Sequence, residues 1–247
     1  MEQKSFNIAI DGPAGAGKST IARLAAKQLG FVYVDTGAMY RAIALYFLRK
    51  GICPEDVETI SGQVQGAEIT IRYADGTQQV ILNGEDVSGL IRTEEVGNMP
   101  SAPSAIPAVR AHLLELQRNL AASANVIMDG RDIGTCILPD ADVKIFLTAS
   151  TSVRAMRRYR ELQEKGIMCN LEEIEQDIIE RDFRDMNRET APLKQAEDAM
   201  LLDSSDMTLE QVVQAILDAA FSRGFVPGGQ EAYAGTDSGA GVTKEEV

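Results

Sequence analysis

The chain of 247 residues carries 24 Lys and Arg against 37 Asp and Glu, a net charge of −13, with 45% hydrophobic and 25% charged residues. Those proportions suit a globular protein with apolar material for one large domain or two small ones, and the acidic balance argues against a general nucleic-acid binder, whose footprint is basic. A single histidine, His112, and three scattered cysteines, Cys53, Cys136 and Cys169, exclude a multi-histidine metal centre, a CxxC metal site and a disulfide framework.

A small anionic ligand held in a local arginine pocket stays allowed. The opening residues MEQKSFN lead into no apolar signal segment, and no stretch approaches the ~20 apolar residues of a membrane span. A reduced cytoplasm is the expected address. In chain order, Phe6 to Asp11 (FNIAID) predicts a buried strand, and Lys18 to Leu29 a helix stopped at Gly30. Val32 to Asp35 predicts a second strand, and Ala38 to Lys50 a second helix ended by Gly51.

Glu68 to Asn83 breaks the rhythm, alternating apolar and polar residues around Asp75-Gly76, a hairpin turn signal. Residues 62 to about 98 therefore read as an inserted antiparallel unit, either a working part of the protein or a surface decoration. A helix beginning near Ser104 follows, then strands at Asn125 to Asp129, Val143 to Leu147 and Met200 to Asp203, separated by helical stretches. Strands alternating with helices imply an α/β fold with a mostly parallel sheet covered on both faces. From Gly224 to Val247, six of the 21 glycines fall in 24 residues of low apolar content with a net charge of −3, which predicts a disordered tail.

The strongest chemical signal is Gly12-Pro13-Ala14-Gly15-Ala16-Gly17-Lys18-Ser19, which matches the phosphate-binding loop pattern G-x-x-x-x-G-K-[ST]. The glycines let backbone N–H groups curl around a phosphate, Lys18 reaches the β/γ-phosphates, and the Ser19 hydroxyl takes a place on Mg²⁺. Val126 to Asp129 is an apolar strand ending in a carboxylate, suited to the metal through a bridging water, although strands also end in Asp for turn reasons. Arginines are numerous: Arg41, Arg110, Arg131, Arg154, Arg157, Arg158, Arg160, Arg181, Arg184 and Arg188. Phosphoryl transfer needs fixed positive charge around the moving group. Helical arginines near carboxylates are equally consistent with surface ion pairs, and Arg154 with Arg158 could be only that. His112 reads as a structural or surface residue.

Taken together, DGPAGAGKST at Asp11 to Thr20, DTGAMYR at Asp35 to Arg41, DGRDIGT at Asp129 to Thr135 and RDFRDMNR at Arg181 to Arg188 resemble bacterial cytidylate kinases. Gly84 to Thr93 (GEDVSGLIRT) in the insert is similar to that family too, and the match runs from about residue 6 to 222. The resemblance implies the P-loop nucleoside-monophosphate-kinase fold: a five-stranded parallel sheet flanked by helices, a small antiparallel β insert, and a short lid near Arg157 to Cys169. It implies transfer of the γ-phosphoryl group of ATP, as its Mg²⁺ complex, to CMP or dCMP, within pyrimidine nucleotide metabolism. ATP would lie on Gly12 to Thr20, with Ser19 and Asp129 at the metal and Lys18, Arg131, Arg157 and Arg188 as catalytic residues. Arg41, Arg131 and Arg188 would grip the acceptor phosphate, Ser101, Arg110 and Asp132 would read cytosine, and Arg181 and Asp185 would meet the ribose. Tyr40 and Thr36 complete the expected acceptor site, Thr36 standing where the family often has Ser.

Asp132 has a plainer alternative, that it only anchors its neighbour Arg131. Other readings are a small-acceptor kinase for UMP, AMP, dTMP or shikimate, and a GTP-dependent switch, which would need an N-K-x-D motif that this chain lacks. A monomer with no nucleic-acid or membrane partner is expected.

Overall fold

The computed structural model describes residues 5–74, 76–93, 96 and 101–227, with Ser101 and Ala102 described by their backbone alone. Strand β1 (Asn7–Asp11) runs through the middle of the molecule. Its side chains alternate between two cores, as a pleated strand requires: Ile8 and Ile10 join one cluster and Ala9 the other. Helix α1 (Lys18–Leu29) and strand β2 (Val32–Asp35) keep their expected bounds. Gly30 closes α1 in the left-handed region at φ 71°, its N–H donating to the Ala26 carbonyl.

Helix α2 (Thr36–Arg49) begins two residues earlier than expected because Asp35 caps it, accepting the Ala38 N–H at 2.8 Å. Helix α3 (Val57–Gln63) leads to the insert, where β3 (Ile69–Ala74), β4 (Thr77–Leu82) and β5 (Glu85–Asp86) form a three-stranded antiparallel sheet. Asp75 of the hairpin turn lies outside the described residues. The helix expected from Ser104 is instead two pieces, α4 (Ser101–Ala105) and α5 (Pro107–Ser123). Pro107 forces the break: it holds Ile106 extended, at φ −80° and ψ 121°, and then occupies the first turn of α5.

Strands β6 (Val126–Gly130), β7 (Val143–Thr148) and β8 (Met200–Asp203) complete a five-stranded, wholly parallel sheet of order β2-β6-β1-β7-β8. β2 lies to one side of β1, while β7 and β8 lie to the other, so the connections part at the carboxyl end of β1. Open α/β sheets bind ligands in that crevice. Helices α1 and α8 (Leu209–Ser222) cover one face; α2, α5 and the insert cover the other. His112 sits on α5, its Nε2 2.8 Å from the Ala67 carbonyl, and so fastens α5 to the approach to the insert.

The segment Arg157 to Cys169, the expected lid, comprises the end of α6 (Thr151–Glu164) and a turn through Gly166 at φ 71° that leads to α7 (Leu171–Asn187). One boundary is corrected. The tail does not begin at residue 224. The Phe225 ring packs edge-on to Phe31 with centroids 4.7 Å apart, and lies 5.4 Å from Phe6, so this half-buried ring packs against the core cluster that α8 covers. Residues 228–247 lie outside the described part. Because residues 228–247 are glycine-rich, acidic and poor in large apolar side chains, removing everything after Pro227 should leave the melting curve unchanged, whereas removal after Arg223 should cost about 1–2 kcal/mol through the lost ring, measured by denaturant unfolding of both truncations.

Candidate active site

The phosphate-binding loop leaves β1 with no room for a side chain at Gly12. A Cβ on Gly12 would come within 1.9 Å of the Leu147 carbonyl oxygen, and Gly17 takes φ 87° where the loop enters α1. Lys18 is 6% exposed, and its Nζ donates to the Gly12 and Pro13 carbonyls, both at 2.7 Å. Burial, reinforced by the Arg131 charge, pulls its pKa well below the usual lysine value; Asp129 and Asp11 oppose this. Gly12, Pro13 and Ala16 shape the turn from behind, while Ala14, Gly15, Gly17, Lys18, Ser19 and Thr20 line an open cleft of ≈ 310 Å³.

Two groups that sequence reasoning missed hold this loop. Asp11 accepts the Ile133 and Gly134 N–H groups, each at 2.8 Å, and so ties the end of β1 to the segment after β6. That segment, Ile133–Ile137, is a single wide turn in which the Ile137 and Leu138 N–H groups reach back five residues to Asp132 and Ile133. Arg154 is buried, not a surface partner of Arg158. It donates to the Ala14 carbonyl at 2.9 Å and pairs with Asp182 of α7 at 2.7 Å, while Arg158 pairs with Glu161 at 3.0 Å on the exposed side of α6.

Burial pushes the Asp11 carboxyl up to about 6. Its folded pKa thus exceeds the ordinary value of 3.8, so its contribution to stability is complete below pH 3.8 and is lost as pH rises through about 6. Asp11→Asn does not titrate. Its stability deficit against the parent should be greatest at pH 4 and shrink by up to about 3 kcal/mol by pH 7, read from unfolding curves of both proteins across that range.

Asp129 ends β6 beside the loop, 4% exposed. Its Oδ2 accepts the Ser19 hydroxyl and its Oδ1 the Tyr33 hydroxyl, each at 2.9 Å. Burial, and next the charge of Asp35, pushes this carboxyl up to about 6. A buried carboxylate and a hydroxyl at the mouth of the loop are hard oxygen donors suited to Mg²⁺ carried in by phosphates. Among the described residues no group of three or more His, Cys, Asp or Glu could hold a metal unaided.

The opposite wall of the cleft carries the arginines. Arg41 pairs with Asp35 at 3.0 Å, and Arg131 donates through Nε to Asp185 at 2.9 Å. Asp132 does not anchor Arg131. It is 3% exposed, pairs with Arg110, and lies 3.6 Å from Arg188. Burial raises its pKa and the two guanidinium groups oppose the rise. Arg110 also donates to the Ser104 carbonyl at 3.2 Å and stands 5.8 Å from the centre of the Tyr40 ring. Arg188 donates to the Ala191 carbonyl at 2.7 Å and to Ser104 Oγ at 3.2 Å. Arg181, its pKa lowered by burial and by Arg131, completes the wall with Thr36, whose hydroxyl donates to the Asp129 carbonyl at 2.8 Å.

Arg157 is not among the residues that line this cleft. Arg157 lies across the loop in a second cavity of ≈ 450 Å³ shared with Gly15 and Thr20, donating to the Ser204 carbonyl at 2.8 Å. Ser101 opens α4, and its side chain lies outside the described residues.

The profile of the family described as "Cytidylate kinase" matches residues 8–222. A cytidylate kinase of Caldicellulosiruptor saccharolyticus is 50% identical over 215 residues, covering 87% of this chain and 95% of its own. One from Lactobacillus johnsonii is 47% identical over 222 residues, covering 88% and 96%. Among solved structures, an uncharacterized protein from Eubacterium ventriosum superposes with a TM-score of 0.50 at 10% identity, covering 88% of this chain and 99% of that one, a likeness of fold.

Proposed function

The chain belongs to the cytidylate kinase family, and from that premise we propose how its residues transfer the γ-phosphoryl group of ATP to CMP or dCMP, giving ADP and CDP or dCDP. The observation that carries the reading is the buried Asp132 between Arg110 and Arg188, facing the phosphate-binding loop across one cleft. A carboxylate matches the amino donor of cytosine, and the Arg110 guanidinium, with the Ser101 hydroxyl, suits its N3 and O2 acceptors.

The β- and γ-phosphates of ATP lie on the loop amides, where Lys18 exchanges its two carbonyl partners for phosphate oxygens. Ser19 and Asp129 would hold Mg²⁺, which would supply positive charge to neutralise the phosphates. Arg41, Arg131 and Arg188 grip the acceptor phosphate, and Arg181 and Asp185 meet the ribose. Arg157, in the cavity on the far side of the loop, acts on the ATP side of the reaction. The acceptor phosphate is already ionised at neutral pH, so no general base is required and His112 takes no part. The residues' task is to fix positive charge around a loose transition state and to align it. Closure of the Arg157 to Cys169 segment excludes water, which would otherwise consume ATP as the acceptor.

The three free cysteines favour a reducing cytoplasm. The net charge of −13 disfavours nucleic-acid and anionic-membrane partners. Since every residue invoked comes from one chain, a monomer suffices. The test is a coupled assay with MgATP against CMP, dCMP, UMP, AMP, dTMP and shikimate. CMP and dCMP should give the highest kcat/KM; a preference for any of the other acceptors would overturn the assignment.

A further inference from the structure

Strand β2 is the outermost strand of the parallel sheet, so the edge turned away from β6 presents backbone groups to no neighbouring strand. Two side chains of the inserted hairpin meet that edge. Gln78 of β4 accepts the Asp35 N–H at 2.8 Å through Oε1 and donates from Nε2 to the Asp35 carbonyl at 3.3 Å. Tyr73 of β3 donates its hydroxyl to the Tyr33 carbonyl at 3.2 Å. Tyr73 and Gln78 stand directly opposite each other across the hairpin, so the two form one clasp on three backbone groups of β2.

Of the clasped residues, Asp35 lines the cleft and Tyr33 supports Asp129, which lines it. Asp35 caps α2 through Ala38 and holds Arg41 at 3.0 Å. Tyr33 holds the other oxygen of Asp129 when Ser19 holds the first. Gln78 is 7% exposed, and both ends of its amide are spent on a single residue.

We propose that Gln78, assisted by Tyr73, is a positioning residue for the acceptor nucleotide: the insert sets the backbone of Asp35, and Asp35 sets Arg41. The inference rests on the reading that Arg41 grips the acceptor phosphate. A purely structural Gln78 would, when lost, reduce the amount of folded enzyme and leave KM for each substrate alone. A positioning Gln78 would loosen one substrate selectively.

The test is Gln78→Met in the full chain, which keeps length and volume but cannot donate and accepts only weakly. Hydrogen exchange at the Asp35 amide should accelerate, KM for CMP should rise about tenfold, and KM for ATP should stay within about twofold of the parent. Tyr73→Phe, which keeps the ring, is measured alongside and should show the same split on a smaller scale, so a poorly folded Gln78→Met does not end the test. Arg41→Ala separates the two levels of the argument. An Arg41→Ala enzyme with the parent's KM for CMP removes the role given to Arg41. A raised KM for CMP in Arg41→Ala, beside unchanged values in Gln78→Met and Tyr73→Phe, overturns the clasp.

Discussion

Lys18→Ala should fold and bind CMP as the parent does, yet lose at least about two orders of magnitude in kcat. The physical reason begins with burial. Lys18 is 6% exposed, so its charge acts through little water, and its Nζ sits 2.7 Å from two carbonyls of the same loop that cradles the phosphates. Moving from those carbonyls to developing negative charge takes no reorganisation of the chain. The interaction strengthens as charge moves toward the leaving oxygen, so its loss should appear in kcat more than in the KM for ATP. The alanine variant leaves the Gly12 and Pro13 carbonyls beside an open cleft, where water can replace the ammonium, and Gly12 remains pinned against Leu147 whatever stands at position 18. A folded Lys18→Ala enzyme turning over within about threefold of the parent would remove Lys18 from the chemistry.

What could be read from the sequence here was what is written contiguously. The phosphate-binding loop occupies eight consecutive residues after a strand and before a helix, and both flanking elements formed with the expected polarity. The hairpin insert was legible for the same reason, because alternation and a turn dipeptide are local signals. Arg154 was not legible. Its partner Ala14 lies 140 residues away, and nothing in the neighbourhood of Arg154 distinguishes it from Arg158, which makes an ordinary exposed helical pair. Asp11 carried the same signal as Asp129, a carboxylate closing an apolar strand, yet its use depends on two N–H groups more than 120 residues ahead. Phe225 was hidden by its surroundings: the glycine-rich composition around it describes an average, and one ring docked on Phe31 departs from that average. The break at Pro107 was written in the sequence, since a residue before proline avoids the helical region, but helical periodicity across it was the louder signal.

Asp132→Ala should lower kcat/KM for CMP far more than for UMP, collapsing their ratio by about a hundredfold or more. Cytosine offers an amino donor where uracil offers a carbonyl, so a carboxylate bonds the first and repels the second. The competing account is that Asp132 serves only to hold the arginines. In sequence that meant Arg131, but Arg131 is held by Asp185, and the groups facing Asp132 are Arg110 and Arg188. Neither depends on Asp132 alone: Arg110 also bonds the Ser104 carbonyl, and Arg188 the Ala191 carbonyl and the Ser104 hydroxyl. Removing the carboxylate therefore leaves both side chains anchored, while their charges, no longer balanced, press equally on either acceptor's phosphate. An arginine-holding role would weaken CMP and UMP in parallel. Asp132→Asn sharpens the contrast, because its amide keeps the shape and can donate to the uracil carbonyl. UMP should then gain in absolute kcat/KM as CMP falls, a crossing of preferences that loss of arginine anchoring cannot produce, and an unchanged ratio in both variants would exclude Asp132 as the reader of the base.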